Sequence, residues 1–213
     1  MWWFIRLAAC ATVSSLVAGA QLPPGKTVPP LIGVYLDFAS APESVSIEVM
    51  KRSVEILLQP ADVTLAWRSV RGNSGTEAFS ALAVLKFSGR CDARAPKPTN
   101  GFGTLGEVDR LASTSVGYGR VLPYAEVECD QVRKALAYVA PGAGLRARQQ
   151  ALGLALGRVV AHELYHILGN TAAHAREGLA QASELFRDLA SGGEMSFDDG
   201  AASMIRERLS VGK

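Results

Sequence analysis

The chain has 213 residues, 48% of them hydrophobic and 20% charged, with a formal net charge of +2. That composition excludes a disordered or collagen-like chain, and the length favours one domain with a core large enough to fold without staples. So small a charge, with no run of Lys or Arg, excludes the electrostatic footprint of a nucleic-acid binder.

The first twenty residues, "MWWFIRLAACATVSSLVAGA", place Arg6 ahead of an apolar stretch that ends in Ala18-Gly19-Ala20. Small residues one and three positions before a break form the pattern of signal-peptide cleavage, so residues 1–20 read as a signal peptide cut after Ala20. The apolar stretch falls short of the roughly 20 residues a spanning helix needs, and the mature chain is expected to have no membrane span. Two alternatives stand beside this. "LAAC" fits a lipoprotein box at Cys10, except that the apolar segment follows the cysteine instead of preceding it. A retained amphipathic anchor is the other. On the signal-peptide reading the protein is exported, periplasmic or extracellular. Cleavage removes Cys10 and leaves Cys91 and Cys129, an even pair that reads as one disulfide in an oxidising compartment. Two free buried thiols are the alternative.

Residues 21–30, "QLPPGKTVPP", form an extended, proline-rich lead-in. "LIGVYLDF" (31–38) predicts a buried strand, and "PESVSIEVMKRSVEILL" (42–58) a helix with Val45, Val49 and Ile56 on its apolar face and Pro60 at its end. "DVTLAWRSV" (62–70) and "FSALAVLKF" (79–87) predict two strands, followed by a Gly/Pro-rich excursion over 89–106. "VDRLAS" (108–113) and "RVLPYAEVEC" (120–129) are weaker strands, the second interrupted by Pro123, and "DQVRKALAYV" (130–139) is a short helix. From Leu145 to Leu168 the pattern is clearest: Leu152, Leu156, Val160, Leu164 and Leu168 recur every four residues on one helical stripe. Gly153 and Gly157 beside that stripe imply a close neighbour such as a sheet. Gly169 is the expected left-handed stop.

All three histidines fall within "AHELYHILGNTAAH", at His162, His166 and His174. His162 and His166 project from one face of the long helix, one turn apart, roughly 200° round from Leu164. Imidazoles so spaced can share one zinc ion at about 2.0–2.1 Å per bond, and three protein ligands leave a position for water. Glu163, beside the first histidine, is the residue type that takes a proton from such a water and later returns it to a leaving amine. Tyr165 invites an oxyanion role against a plainer one in packing. Asn170 and Thr171 read as turn residues.

This stretch resembles zinc metallopeptidases of the zincin type, and among them the metzincins, whose pattern is H-E-x-x-H-x-x-G-x-x-H. His162, Glu163, His166 and Gly169 occupy matching positions, while the last matching position is Ala172 and the histidine comes two residues later, at His174. "HELYH" followed by T-x-x-H also resembles an uncharacterised family of exported bacterial proteins. The resemblance implies an α+β fold in which a mixed sheet, packed helices and the active-site helix occupy 31–169 and a small C-terminal subdomain occupies 170–213. It implies Zn2+ held by His162, His166 and His174, with Glu163 as general base and a peptide or protein substrate along a sheet edge. It implies a methionine turn too, for which Met195 is the candidate against a plain core role. A last helix, "SFDDGAASMIRERL", is expected to be capped by Ser196 with Asp199. Glu177 and Glu184 are alternative third ligands, Glu184 because another zincin branch draws a glutamate from a downstream helix. Two rival functions stay open: a non-catalytic exported domain with a structural or degenerate metal site, and a zinc hydrolase of non-peptide bonds.

Overall fold

The computed structural model describes residues 28–72, 75–94, 110–139, 142–181, 189 and 195–210. The signal peptide, most of the lead-in, much of the Gly/Pro-rich excursion and Glu184 lie outside these residues. In chain order the elements are β1 (Leu31–Phe38), α1 (Ser44–Leu58), β2 (Thr64–Ser69), β3 (Ala81–Ser88), β4 (Ala112–Gly117), β5 (Arg120–Glu128), α2 (Cys129–Val139), α3 (Leu145–Gly169) and α4 (Asp199–Ser210). The strands form one mixed sheet in the order β2-β1-β3-β5-β4. β2, β1, β3 and β5 are parallel, and β4 is an antiparallel edge strand on β5. The fold is α+β, as expected. Among the described residues no helix is long and apolar enough to cross a membrane.

The period-two alternation of the strands sends Ile32, Val34, Ala83, Leu85, Phe87, Ala125 and Val127 to one face, where all are completely buried. They share one apolar core with Met50 and Val54 of α1 and Leu156, Val160 and Leu164 of α3. Among the described residues β1 is therefore covered by helices on one face. Its other face is reached by the connection from β2 to β3, which must cross β1. The right-handed crossover rule puts that connection on the side away from α1. There Phe79 sits so close over Gly33 that a Cβ would come within 2.6 Å of its ring, and edge-on to Tyr35.

On α1 the buried stripe is Ile47, Met50, Val54, Leu57 and Leu58, while Val45 and Ile56 are 48% and 62% exposed. Two apolar stripes compete on this helix, and the one matching the sheet wins. The neighbour implied by Gly153 and Gly157 is α1 rather than a sheet. A Cβ on either would collide with α1, at Val49 and the Ser46 carbonyl for Gly153, and at Ser53 for Gly157. With α1 on one side and the sheet on another, α3 is buried at every residue from 155 to 166.

Cys91 and Cys129 form a disulfide that joins the segment after β3 to the start of α2, with both cysteines buried. Nearby, the Glu43 carboxylate accepts hydrogen bonds from Ser46 Oγ, the Ala93 N–H and Gln149 Nε2, tying the start of α1 to that segment and to α3. Pro123 does not interrupt β5. The β4–β5 register shifts between Thr114 and Val116, and pairing with β3 begins only at Tyr124, so Pro123 falls where no ladder needs its missing N–H. On α4 the cap is Asp198, whose Oδ1 accepts the Ala201 N–H at 2.6 Å, rather than Ser196 with Asp199.

Candidate metal centre

The site begins where α3 stops. Gly169 is the last helical residue, and the left-handed residue is Asn170, with φ 48° and ψ 47°. Gly169 packs against Met204 of α4, whose Cε would lie 2.9 Å from an added Cβ and would have to shift. Asn170 tolerates the left-handed region because its short polar side chain can bond locally. The chain then reverses. The Asn170 N–H donates to the His166 and Ile167 carbonyls, the Thr171 N–H to the His166 carbonyl, and the Ala173 N–H to Thr171 Oγ1. Tyr165 is buried, stacks on Phe197 and donates its hydroxyl to the Ala173 carbonyl at 3.3 Å. Its structural task is to hold this turn.

The reversal returns His174 to the helix. Its ring centroid lies 5.2 Å from that of His162 and 4.8 Å from that of His166. Each of the three histidines offers a ligand nitrogen, and these nitrogens lie within 4.8 Å of one another. His162 and His166 are buried on α3, and His174 is exposed on the turn. Among the described residues this is the one group of potential ligands that could hold a metal ion.

The second nitrogen of each helical histidine fixes its tautomer. His162 Nδ1–H donates to the Leu179 carbonyl and His166 Nδ1–H to the Thr171 carbonyl, each at 2.8 Å. With the proton on Nδ1, both Nε2 atoms carry only lone pairs. They face one another at 3.1 Å. Protonating one ring would turn that contact into a hydrogen bond, but the site opposes it. Burial, aided by the neighbouring imidazoles, holds His162 down to about 4, and burial lowers His166 as well. Two lone pairs converging in a dry site call for a cation between them. Nitrogens sharing one tetrahedral ion at about 2.0–2.1 Å each are about 3.4 Å apart, so the spacing and the donor set fit a single metal.

Leu179 reaches His162 because Gly178 adopts φ 72° and packs so tightly on the Ser196 carbonyl that a Cβ would lie 2.6 Å from it. The Leu179 N–H in turn donates to that same carbonyl. The segment after the third histidine therefore orients the first.

Glu163, next to His162 on α3, reaches toward the edge strand. Its Oε2 accepts a hydrogen bond from Thr114 Oγ1 of β4 at 2.5 Å. Burial pushes its carboxyl up to about 7, against the lowering pull of the Thr114 hydrogen bond and the charge of Arg110. A carboxyl in that range exchanges protons readily near neutral pH.

Fold and site together define an α+β protein with a three-histidine cluster able to hold a metal ion. Compared with known proteins, the chain matches no family model, no curated protein and no solved structure. Of the site residues read from sequence, His162, His166 and His174 come together, Glu163 lies beside them against β4, and Cys91 pairs with Cys129. Met195 packs against the apolar core, and Glu177 is exposed. Sequence reasoning missed Thr114 and the carbonyls of Thr171 and Leu179. The carbonyls have no side-chain signature, and Thr114 reaches Glu163 only through the sheet register.

Proposed function

We propose that this chain is an exported, zinc-dependent metallopeptidase of the zincin type, hydrolysing peptide bonds with Glu163 as general base. One observation carries the reading: two carbonyl-anchored imidazoles aim their lone pairs at each other at 3.1 Å, with a third imidazole beside them. Nitrogen-only donors with no thiolate suit zinc, and three protein ligands leave a fourth position for chemistry rather than closing a structural site.

His162, His166 and His174 would hold the ion, and the Leu179 and Thr171 carbonyls keep the first two in the binding tautomer. Bound zinc supplies Lewis-acid polarisation of the scissile carbonyl and a water acidic enough to react near neutral pH. With the ion bound, Glu163 would accept a proton from the attacking water as its oxygen bonds to the carbonyl carbon, and would return that proton to the amine nitrogen as the C–N bond breaks. Thr114 holds one carboxylate oxygen, leaving the other for the proton. Among the described residues β4 is the edge strand beside Glu163, and an extended substrate adding to its outer edge would pass the base. The order of elements, with the sheet and α3 ahead of a short C-terminal piece, agrees with the resemblance carried by H-E-x-x-H-x-x-G. Export agrees with the leader pattern and with the buried disulfide.

The test is zinc content of the purified mature protein together with cleavage of a peptide library. One zinc per chain and chelator-sensitive cleavage are expected. Glu163→Gln should keep its zinc and lose at least about a thousandfold in kcat. Wild-type turnover by that variant would remove Glu163 from the role of base.

A further inference from the structure

The β4–β5 hairpin runs past the sheet that supports it. β5 pairs with β3 only from Tyr124 onward, whereas β4 and β5 continue together to Gly117 and Arg120. Beyond the register shift at Thr114/Val116, the hairpin is a two-stranded ribbon with no third strand among the described residues. Such ribbons are marginal in water, and this one carries exposed apolar side chains beside Arg120. Val116 is 57% exposed, Leu122 42%, and Tyr118 at the tip is fully exposed. Tyr118 and Gly119 carry φ of 52° and 72°, a turn whose first position ordinarily takes Asn, Asp or Gly. A tyrosine there is conformationally unfavourable and touches too little of its own chain to explain its presence. Local rules broken together in this way point to a binding role.

We propose that this ribbon is a docking site for apolar side chains of an extended peptide, on the N-terminal side of the bond to be cleaved. The proposal rests on the metallopeptidase reading. Its occupant follows from continuity: the ribbon is the same strand that carries Thr114, whose hydroxyl holds Glu163. Among the described residues no strand pairs with the outer edge of β4. A peptide can satisfy that row of backbone groups and cover the apolar side chains together. A bilayer could accept Tyr118 and Val116 but not unpaired edge N–H and C=O groups. Antiparallel addition, the more stable pairing, sets the polarity. β4 runs from Thr114 through Val116 to the turn at Tyr118, so the peptide runs the opposite way. Residues level with Val116 and Tyr118 then precede, by two and four positions, the residue level with Thr114. At about 3.3 Å per residue, Val116 stands about 7 Å along the strand from Thr114, with the Tyr118 turn just beyond it.

The probes are two labelled peptides that the wild-type protein cleaves, differing only at the second and fourth residues before the cleaved bond, Leu and Phe in one and Asn at both in the other. Binding is measured by fluorescence anisotropy on zinc-loaded Glu163→Gln, with and without Tyr118→Asn and Val116→Thr. The apolar peptide should bind at least about tenfold tighter than its Asn counterpart, and Tyr118→Asn should erase most of that difference while changing the Asn peptide's Kd less than twofold. Thermal unfolding separates this from damage, since Asn suits the left-handed turn and the variant should melt no lower than its parent. Equal affinities for both peptides overturn the proposal, as does an apolar preference that survives unchanged in Tyr118→Asn and Val116→Thr. Tyr118-dependent binding to phosphatidylcholine–phosphatidylglycerol vesicles without a peptide effect overturns it in favour of a membrane. A dimer that Tyr118→Asn dissociates overturns it in favour of a second copy. Cleavage without ribbon dependence leaves the peptidase reading standing, whereas a protein that neither cleaves nor binds any peptide loses both.

Discussion

His162 and His166 stand on the most deeply buried helix of the molecule, while His174 stands on an exposed turn. The first two owe their geometry to the frame: α3 is wedged between the sheet and α1, and one helical turn sets their separation. The third owes its geometry to a chain of small events, from the left-handed Asn170 through the Thr171 turn to the Tyr165 hydroxyl under Ala173. Frame and turn also depend on each other, because the carbonyls orienting His162 and His166 come from Leu179 and Thr171, beyond the helix. A site divided in this way should respond differently to damage in its two halves.

The largest effect on stability should come from the frame. Replacing Cys91 and Cys129 together by serine removes a cross-link spanning 38 residues and should lower unfolding stability by about 4 kcal/mol. Zinc affinity of the molecules that remain folded should change less than about twofold, since the disulfide lies away from the turn. Urea unfolding and competitive zinc titration check the two halves of this statement, and a large loss of affinity would mean the frame does not hold α3 independently.

The next effect concerns the buried Glu163 carboxyl in the metal-free protein. Glu163 titrates near 7 when folded and near its ordinary 4.5 when unfolded. Its contribution is therefore fully present below about pH 4.5 and is lost as the pH rises through 7. Metal-free Glu163→Gln, which buries no charge, should match the wild type near pH 4.5 and exceed it by about 3 kcal/mol above pH 7. His162 and His166, held down, act in the opposite sense: their contributions are present above about 6.5 and fade as the pH falls. Both proteins share that acid loss, so the difference between them isolates Glu163. Parallel pH profiles would contradict the burial of this carboxylate.

The smallest effect on stability belongs to the turn. Asn170→Ala places an ordinary side chain at φ 48° and should cost about 1 kcal/mol, whereas Asn170→Gly should be nearly neutral. Zinc affinity should fall in the alanine variant by more than its stability loss suggests, because the turn delivers both His174 and the Thr171 carbonyl. An alanine variant with unchanged zinc affinity would show that the turn is not the delicate half.

The same division decides what could be read from the sequence. α3, its H-E-x-x-H spacing and the strand at 31–38 are local patterns of period 3.6 or 2, and they form where expected. The disulfide followed from counting. What escaped was set by distant partners. Val45 and Ile56 make as good an apolar stripe as Met50 and Val54 until the sheet selects one. Gly169 ends the helix as expected, but the left-handed residue is Asn170 one position on, and Thr114 has no mark of function until the sheet brings β4 beside α3 and Glu163. Pro123 looked like a break because the strand pairing that spares its N–H cannot be seen in one segment.

The central claim is that three imidazoles, two from the frame and one from the turn, hold one metal ion. Competitive zinc titration of the wild type, His174→Ala and Glu184→Ala tests it most directly. The account predicts one tight site per chain, weakened by orders of magnitude in His174→Ala and nearly unchanged in Glu184→Ala. Full affinity in His174→Ala together with its loss in Glu184→Ala would contradict it and leave His174 an ordinary turn residue.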